Sequence, residues 1–202
     1  MGTSVNLRLL IERLQSDKKK DGKCCVFIDY KSAYNTVRRD VLYRALVSKK
    51  ILSQPEVDFL RGLHDCLYFR VGTDQRYHFQ NGVHQGSPIS PALFDIYMED
   101  VIAEICNNCT DKKLWYKLYA DDLVLITSYQ HLDSLLTTLF EVSTKYNLKV
   151  NAKKSALFLI KNHDKLATDI DLHEIPIVSD YCYLGVTVND SGSIQPHLDR
   201  VK

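Results

Sequence analysis

No apolar run in this chain of 202 residues reaches the roughly 18 residues needed to cross a bilayer, so a membrane-spanning helix is excluded. A secretory leader is excluded as well, because Arg8 and Arg13 interrupt the apolar pattern of the first segment. No second Cys-x-x-Cys and no His pair at ligand spacing accompanies Cys106-Asn107-Asn108-Cys109, which leaves half a zinc site. Internal repeats and low-complexity linkers are absent, which excludes a solenoid or a tether. A net charge of only +1 conceals an asymmetry: residues 1–50 hold 12 Lys/Arg and 5 Asp/Glu. That basic first quarter is either a face for a polyanion or a solvated surface.

What is present is ample apolar material, 45% of residues, enough for one large domain or two small lobes. Cys24 and Cys25 sit in a run that reads as a buried strand, and reduced thiols fit a protein of the nucleus or cytoplasm.

Periodicity places the elements. Leu7, Leu10, Ile11 and Leu14 form a helical face after a Thr3 cap. A strand follows over 24–29. Asp40 is expected to cap a helix with Val41, Leu42, Ala45 and Leu46 inward. Ser53-Gln54-Pro55-Glu56 has capping-box spacing and opens a helix to about Leu63. Residues 66–71 and 75–80 predict a hairpin around Gly72-Thr73-Asp74. Ser90-Pro91 suits a cap and first turn, and Phe94, Tyr97, Met98, Val101, Ile102 and Ile105 make a one-sided stripe. A hairpin over 114–127 is followed by a helix over 132–146, with Asn147 closing it in the left-handed conformation. Strands at 156–160 and 181–188 and a helix start after Pro196 complete the chain. Hairpins without strict βαβ alternation predict an α+β fold, an antiparallel sheet with helices packed on one face.

The chemistry centres on acids. Tyr119-Ala120-Asp121-Asp122 sits between two β-prone runs, so two carboxylates share a bend. A third, Asp29, ends the run Cys24–Ile28. Clustered acids repel and gain nothing from packing, and a divalent cation is the usual reason for them. Read singly, Asp29 is a strand-end turn residue and Asp121-Asp122 is ordinary hairpin chemistry. Read together they suggest a two-metal phosphoryl-transfer centre. Neighbouring strand residues point to opposite faces, so Asp122 is not expected to match Asp121 as a ligand.

Five segments in order resemble the palm motifs of reverse transcriptases of the non-long-terminal-repeat retrotransposon or group II intron kind. Phe27-Ile28-Asp29-Tyr30-Lys31-Ser32-Ala33-Tyr34 resembles the first. Gln85-Gly86-Ser87-Pro88 and its helix resemble the second, and Tyr119-Ala120-Asp121-Asp122 the third. Leu148-Lys149-Val150-Asn151-Ala152-Lys153-Lys154-Ser155 resembles the fourth, and Tyr183-Leu184-Gly185 the fifth, the primer grip.

The resemblance spans nearly all of residues 3–202 and implies a right-hand polymerase palm. Residues 36–90 would form a fingers-side insertion between the first and second motifs. It implies an RNA-directed DNA polymerase that extends a DNA primer with deoxynucleoside triphosphates on an RNA template. The cofactor would be two Mg²⁺ or Mn²⁺ ions on Asp29, Asp121 and Asp122, with the Tyr30 carbonyl as a further ligand. Ala33, Tyr34, Gln85 and Gly86 would line the nucleotide site, Tyr34 as a ring colliding with a ribose 2′-hydroxyl. RNA-copying RNA polymerases more often carry a polar residue there and Gly before the paired Asp. Lys154 would protonate the leaving pyrophosphate, with Lys153 its competitor and a solvated Lys pair the plainer reading. Arg38 and Arg39, and more weakly Lys18, Lys19, Lys20 and Lys23, are nominated for nucleic-acid contact.

The family's earlier fingers motifs have no counterpart before Met1, and its thumb would follow Lys202. The expectation is a palm with partial fingers, completed elsewhere by further segments or a partner chain, with no membrane involvement. The competing expectations are an inactive scaffold that binds RNA or protein and an intron maturase fragment.

Overall fold

The computed structural model describes residues 2–17, 22–71, 75–160 and 170–201. Helix α1 (Thr3–Asp17) buries Leu10 and Leu14 completely. Its first amides, Val5 and Asn6, donate to the Gly2 carbonyl, so the helix takes Thr3 in and needs no Thr3 cap. β1 (Lys23–Ile28) follows, then α2 (Ala33–Thr36) and α3 (Arg39–Ser48). Arg38 stands at the cap position of α3, and Asp40 lies inside the first turn, bonded to Arg38 and Arg44. α4 (Gln54–Asp65) opens on the expected box, with Ser53 and Glu56 satisfying each other's amides. β2 (Tyr68–Val71) and β3 (Gln75–His78) pair antiparallel. The expected turn Gly72-Thr73-Asp74 and the basic run Lys18-Lys19-Lys20 lie outside the described residues.

α5 (Ser90–Asn108) buries the whole predicted stripe from Phe94 to Ile105. Ser90 is not its cap. Leu93 donates to the Ile89 carbonyl, and the buried Ser90 hydroxyl has no partner among the described residues. β4 (Trp115–Tyr119) and β5 (Asp122–Ser128) form the acid-bearing hairpin. α6 (Leu132–Lys145) ends as expected at Asn147, φ 55°. There Leu148 donates to the Ser143 carbonyl and Asn147 to the Thr144 carbonyl, a Schellman closure. β6 (Ala156–Ile160) is followed by β7 (Asp180–Tyr183), β8 (Val186–Asn189) and α7 (Gln195–Val201). The strand expected over 181–188 is thus a hairpin, broken at Leu184-Gly185.

The main sheet runs β4-β5-β1-β6, antiparallel throughout, with β1 central. This is the α+β arrangement that the pattern of hairpins and helices predicts. Cys24 through Ile28 are all buried, so both faces of β1 are covered. On one face Cys25, Phe27, Val124 and Phe158 pack with Leu10 and Leu14 of α1 and with Tyr183 and Val188 of the β7–β8 hairpin. Contacts divide the chain into two compact units, residues 1–31, 105–142 and 150–202 in one and 32–104 with 143–149 in the other. The first carries the sheet and all three acids. Among the described residues no helix is long and apolar enough to cross a membrane.

Candidate catalytic carboxylate site

The register of β1 against β5 positions the acids. Phe27 pairs with Val124 and Ile28 with Leu123. One further step of that register sets Asp29 opposite Asp122. The two share the face that carries Phe27 and Val124, because alternate strand residues point the same way. In the β4–β5 hairpin Tyr119 pairs with Asp122, which leaves Ala120 and Asp121 as a two-residue turn. Ala120 has φ 51°, the positive value such a turn needs. Asp121 is therefore a turn residue, and strand alternation does not set it and Asp122 on opposite faces. All three acids gather at one end of the sheet.

Asp29 is held from the segment after α6. Its amide donates to Ser155 Oγ at 3.1 Å, and its carbonyl accepts the Asn151 amide at 2.8 Å. Asn151 Nδ2 donates to its Oδ2 at 3.0 Å. Tyr30, next in the chain, forms an antiparallel bridge to Val150 and is itself buried.

Electrostatics mark the same place. Burial first, then the charges of Asp121 and Asp29, push the Asp122 carboxyl up from 3.8 to about 6. Burial and then Asp122 and Asp29 push the Tyr181 phenol to about 12, and burial and Asp122 raise that of Tyr183 further. Among the described residues no three His, Cys, Asp or Glu side chains form a ready-made metal cluster. The donors themselves suit a hard divalent cation: carboxylate oxygens only, with a mutual repulsion that a positive charge relieves.

The other nominated residues fall into different settings. Lys153 and Lys154 are both exposed in the turn before β6, and the Lys154 carbonyl accepts the Tyr181 hydroxyl at 2.8 Å. Tyr183 is 1% exposed with its ring 5.8 Å from that of Phe27, so this side chain is part of the core. Leu184 and Gly185, at φ 50° and 81°, form the tip of that hairpin. Cys106 and Cys109 belong to no metal cluster among the described residues.

In the second unit, Ala33 is buried at the start of α2, and Tyr34 stacks on Phe94 at 4.4 Å. Gln85 and Gly86 are exposed, Gly86 at φ 97°. Arg39 corrects an expectation. It is 7% exposed, with Nε on the Gly82 carbonyl at 2.8 Å and Nη1 on the Phe79 carbonyl at 2.7 Å. Its guanidinium fastens the 79–82 loop and is withdrawn from phosphate. Arg38 pairs with Asp40 and reaches the Lys145 carbonyl. Sequence reasoning missed Asn151, Ser155 and Tyr181. The available signal was two short polar residues framing a turn just before an apolar strand.

An antiparallel sheet with acids gathered at the end of its central strand and at the adjoining hairpin turn is the palm of a right-hand polymerase. The family described as reverse transcriptase (RNA-dependent DNA polymerase) matches residues 3–188, and the chain belongs to that family. It is 28% identical over 207 residues to the probable RNA-directed DNA polymerase from transposon BS of Drosophila melanogaster, covering 95% of this chain and 23% of that one. It is 24% identical over 217 residues to the RNA-directed DNA polymerase from mobile element jockey of Drosophila funebris, covering 100% and 23%. The chain thus spans about a quarter of the length of the curated relatives it matches. Among solved structures, apo telomerase from Candida tropicalis truncated from its C-terminal domain superposes with a TM-score of 0.65 at 16% identity, covering 95% of this chain and 39% of that one. Telomerase from Candida albicans, in complex with a fragment of telomeric RNA, gives 0.62 at 14% identity, covering 92% and 34%. These likenesses concern the fold.

Proposed function

We propose that this chain is the palm and fingers-side part of an enzyme that adds deoxynucleotides to a DNA primer on an RNA template. The observation that carries the reading is the β1–β5 register, which sets Asp29 against Asp122 beside the turn residue Asp121. Asp29, Asp121 and Asp122 would hold Mg²⁺ or Mn²⁺, with the Tyr30 carbonyl as a further ligand. Bound there, the ions would favour the ionised primer 3′-hydroxyl and neutralise charge on the phosphate oxygens.

The chain's own residues supply the rest. The hairpin turn presents Asp121, and the bonds from Asn151 and Ser155 fix Asp29. Tyr34, its ring held against Phe94, is the residue we assign to rejecting the ribose 2′-hydroxyl. Gln85 and Gly86 offer exposed main chain to the nucleotide, and Gly lets backbone approach closely. Lys154 would donate a proton to pyrophosphate, with Lys153 as its competitor. The Leu184-Gly185 tip would meet the primer through its main chain. Residues 36–90 serve as the fingers-side insertion, and Arg38 remains the nominated phosphate contact.

Primer extension on poly(rA)/oligo(dT) by the full-length protein tests the reading. DNA synthesis that requires Mg²⁺ or Mn²⁺ and disappears in Asp29→Ala is expected. A protein that makes no DNA, or an Asp29→Ala variant as active as wild type, would favour a scaffold that binds RNA or protein.

A further inference from the structure

We propose that Asn151 is a positioning residue for the metal-binding carboxylate of Asp29; this rests on the polymerase reading above. Three of the four polar groups of Asn151 are committed at once. Its amide N–H holds the Asp29 carbonyl at 2.8 Å. Its side-chain Nδ2 donates to Asp29 Oδ2 at 3.0 Å. Its own carbonyl accepts the amides of Lys154 at 3.0 Å and Ser155 at 2.9 Å, closing the turn. Ser155 then takes the Asp29 amide on its hydroxyl at 3.1 Å.

The result is a closed ring of bonds around one residue. The main chain of Asp29 is fixed on both sides, and one carboxylate oxygen is occupied. The terminal torsion of an aspartate is broad and roughly two-fold, so a carboxylate held only at its backbone turns freely. A donor on Oδ2 stops that rotation and leaves Oδ1, which has no bond among the described residues, for a cation. A neutral amide does this without adding a competing charge. The turn is itself braced: the Tyr181 hydroxyl donates to the Lys154 carbonyl at 2.8 Å, and the Tyr181 ring stacks on Phe27 at 4.5 Å. Phe27 lies two residues before Asp29 on the same strand face. The β7–β8 hairpin therefore supports the carboxylate through the turn.

Partners that orient metal ligands are worth about 10–100-fold in affinity or activity when removed. The test is Mn²⁺ binding, read by electron paramagnetic resonance titration of the full-length protein, beside primer extension as a function of Mg²⁺. Asn151→Ala keeps every main-chain bond of the turn and loses only the amide on Oδ2. It should weaken Mn²⁺ binding about 10–100-fold and move the Mg²⁺ midpoint of extension equally, with kcat recovering at saturating Mg²⁺. Asn151→Ser, polar but too short to reach Oδ2, should behave alike and serves if the alanine variant does not fold. Thermal midpoints without metal establish folding. A folded variant with wild-type Mn²⁺ affinity and Mg²⁺ midpoint overturns the assignment. So does a variant inactive at every Mg²⁺ concentration whose Mn²⁺ affinity is unchanged. A wild-type protein that binds no Mn²⁺ removes the polymerase reading itself, which the variants alone do not.

Discussion

Asp122 has a carboxyl raised to about 6 in the fold, against an ordinary value of 3.8. Between those values the folded protein holds a proton that the unfolded chain has released. Stability falls with rising pH wherever the native state binds more protons, so this contribution is present at low pH and lost as pH rises through about 6. In metal-free buffer Asp122→Asn should therefore melt at higher denaturant than wild type at about pH 7.5 and show roughly half that gain at about pH 5, because the loss accrues from 3.8 upward. An equal gain at both values would mean that the shift is not the cause. Tyr34 yields a second test at this scale. If its ring excludes the 2′-hydroxyl, Tyr34→Val should raise ribonucleotide incorporation at least tenfold, about 1.4 kcal/mol of discrimination, with deoxynucleotide use largely kept. Unchanged selectivity in a competition assay would leave Tyr34 as a core residue stacked on Phe94.

Elements whose signal is local were legible, and side-chain roles set by long-range packing were not. Ser53 and Glu56 satisfy a box written in four consecutive residues, and Asn147 needed only its own tolerance of φ 55°. The stripe on α5 follows from periodicity alone. The same holds for the acids: a β-prone run ending in Asp29 and a bend holding Asp121-Asp122 are visible one at a time. Their meeting depends on the register between residues 28 and 123, which no local pattern encodes. The burial of Arg39 and Tyr183 was not legible, because nothing nearby in sequence shows it. Arg39 is committed by carbonyls 40 and 43 residues away, Tyr183 by a ring in β1. The 79–82 loop that Arg39 holds offers a test at the level of elements. At Gly82, φ 87°, an added Cβ would stand 2.8 Å from both Cα and carbonyl O of Asn35 in α2. At Gly86, φ 97°, it would meet nothing within 4 Å. Gly86→Ala should cost only left-handed strain, about 1–2 kcal/mol. Gly82→Ala adds a backbone collision and should cost more, roughly 3 kcal/mol. Equal losses in urea denaturation would show that α2 yields freely.

For the molecule as a whole, the basic first quarter is less available than its count of 12 Lys/Arg implies. Arg8, Arg13, Arg38, Arg44 and Lys49 are ion-paired with carboxylates, and Arg39 is buried on carbonyls. A cation already paired releases fewer counterions when it meets a phosphate, so it adds less to nucleic-acid affinity. The curated relatives are about four times as long as the stretch they share with this chain. Residues 1–202 alone should accordingly bind primer–template weakly, lose that binding between about 50 and 200 mM salt, and extend a primer by only a few nucleotides before release. Fluorescence anisotropy across a salt series and extension products resolved by length would check this. Long products from these residues alone would mean that they already hold the duplex, through phosphate contacts other than the nominated arginines.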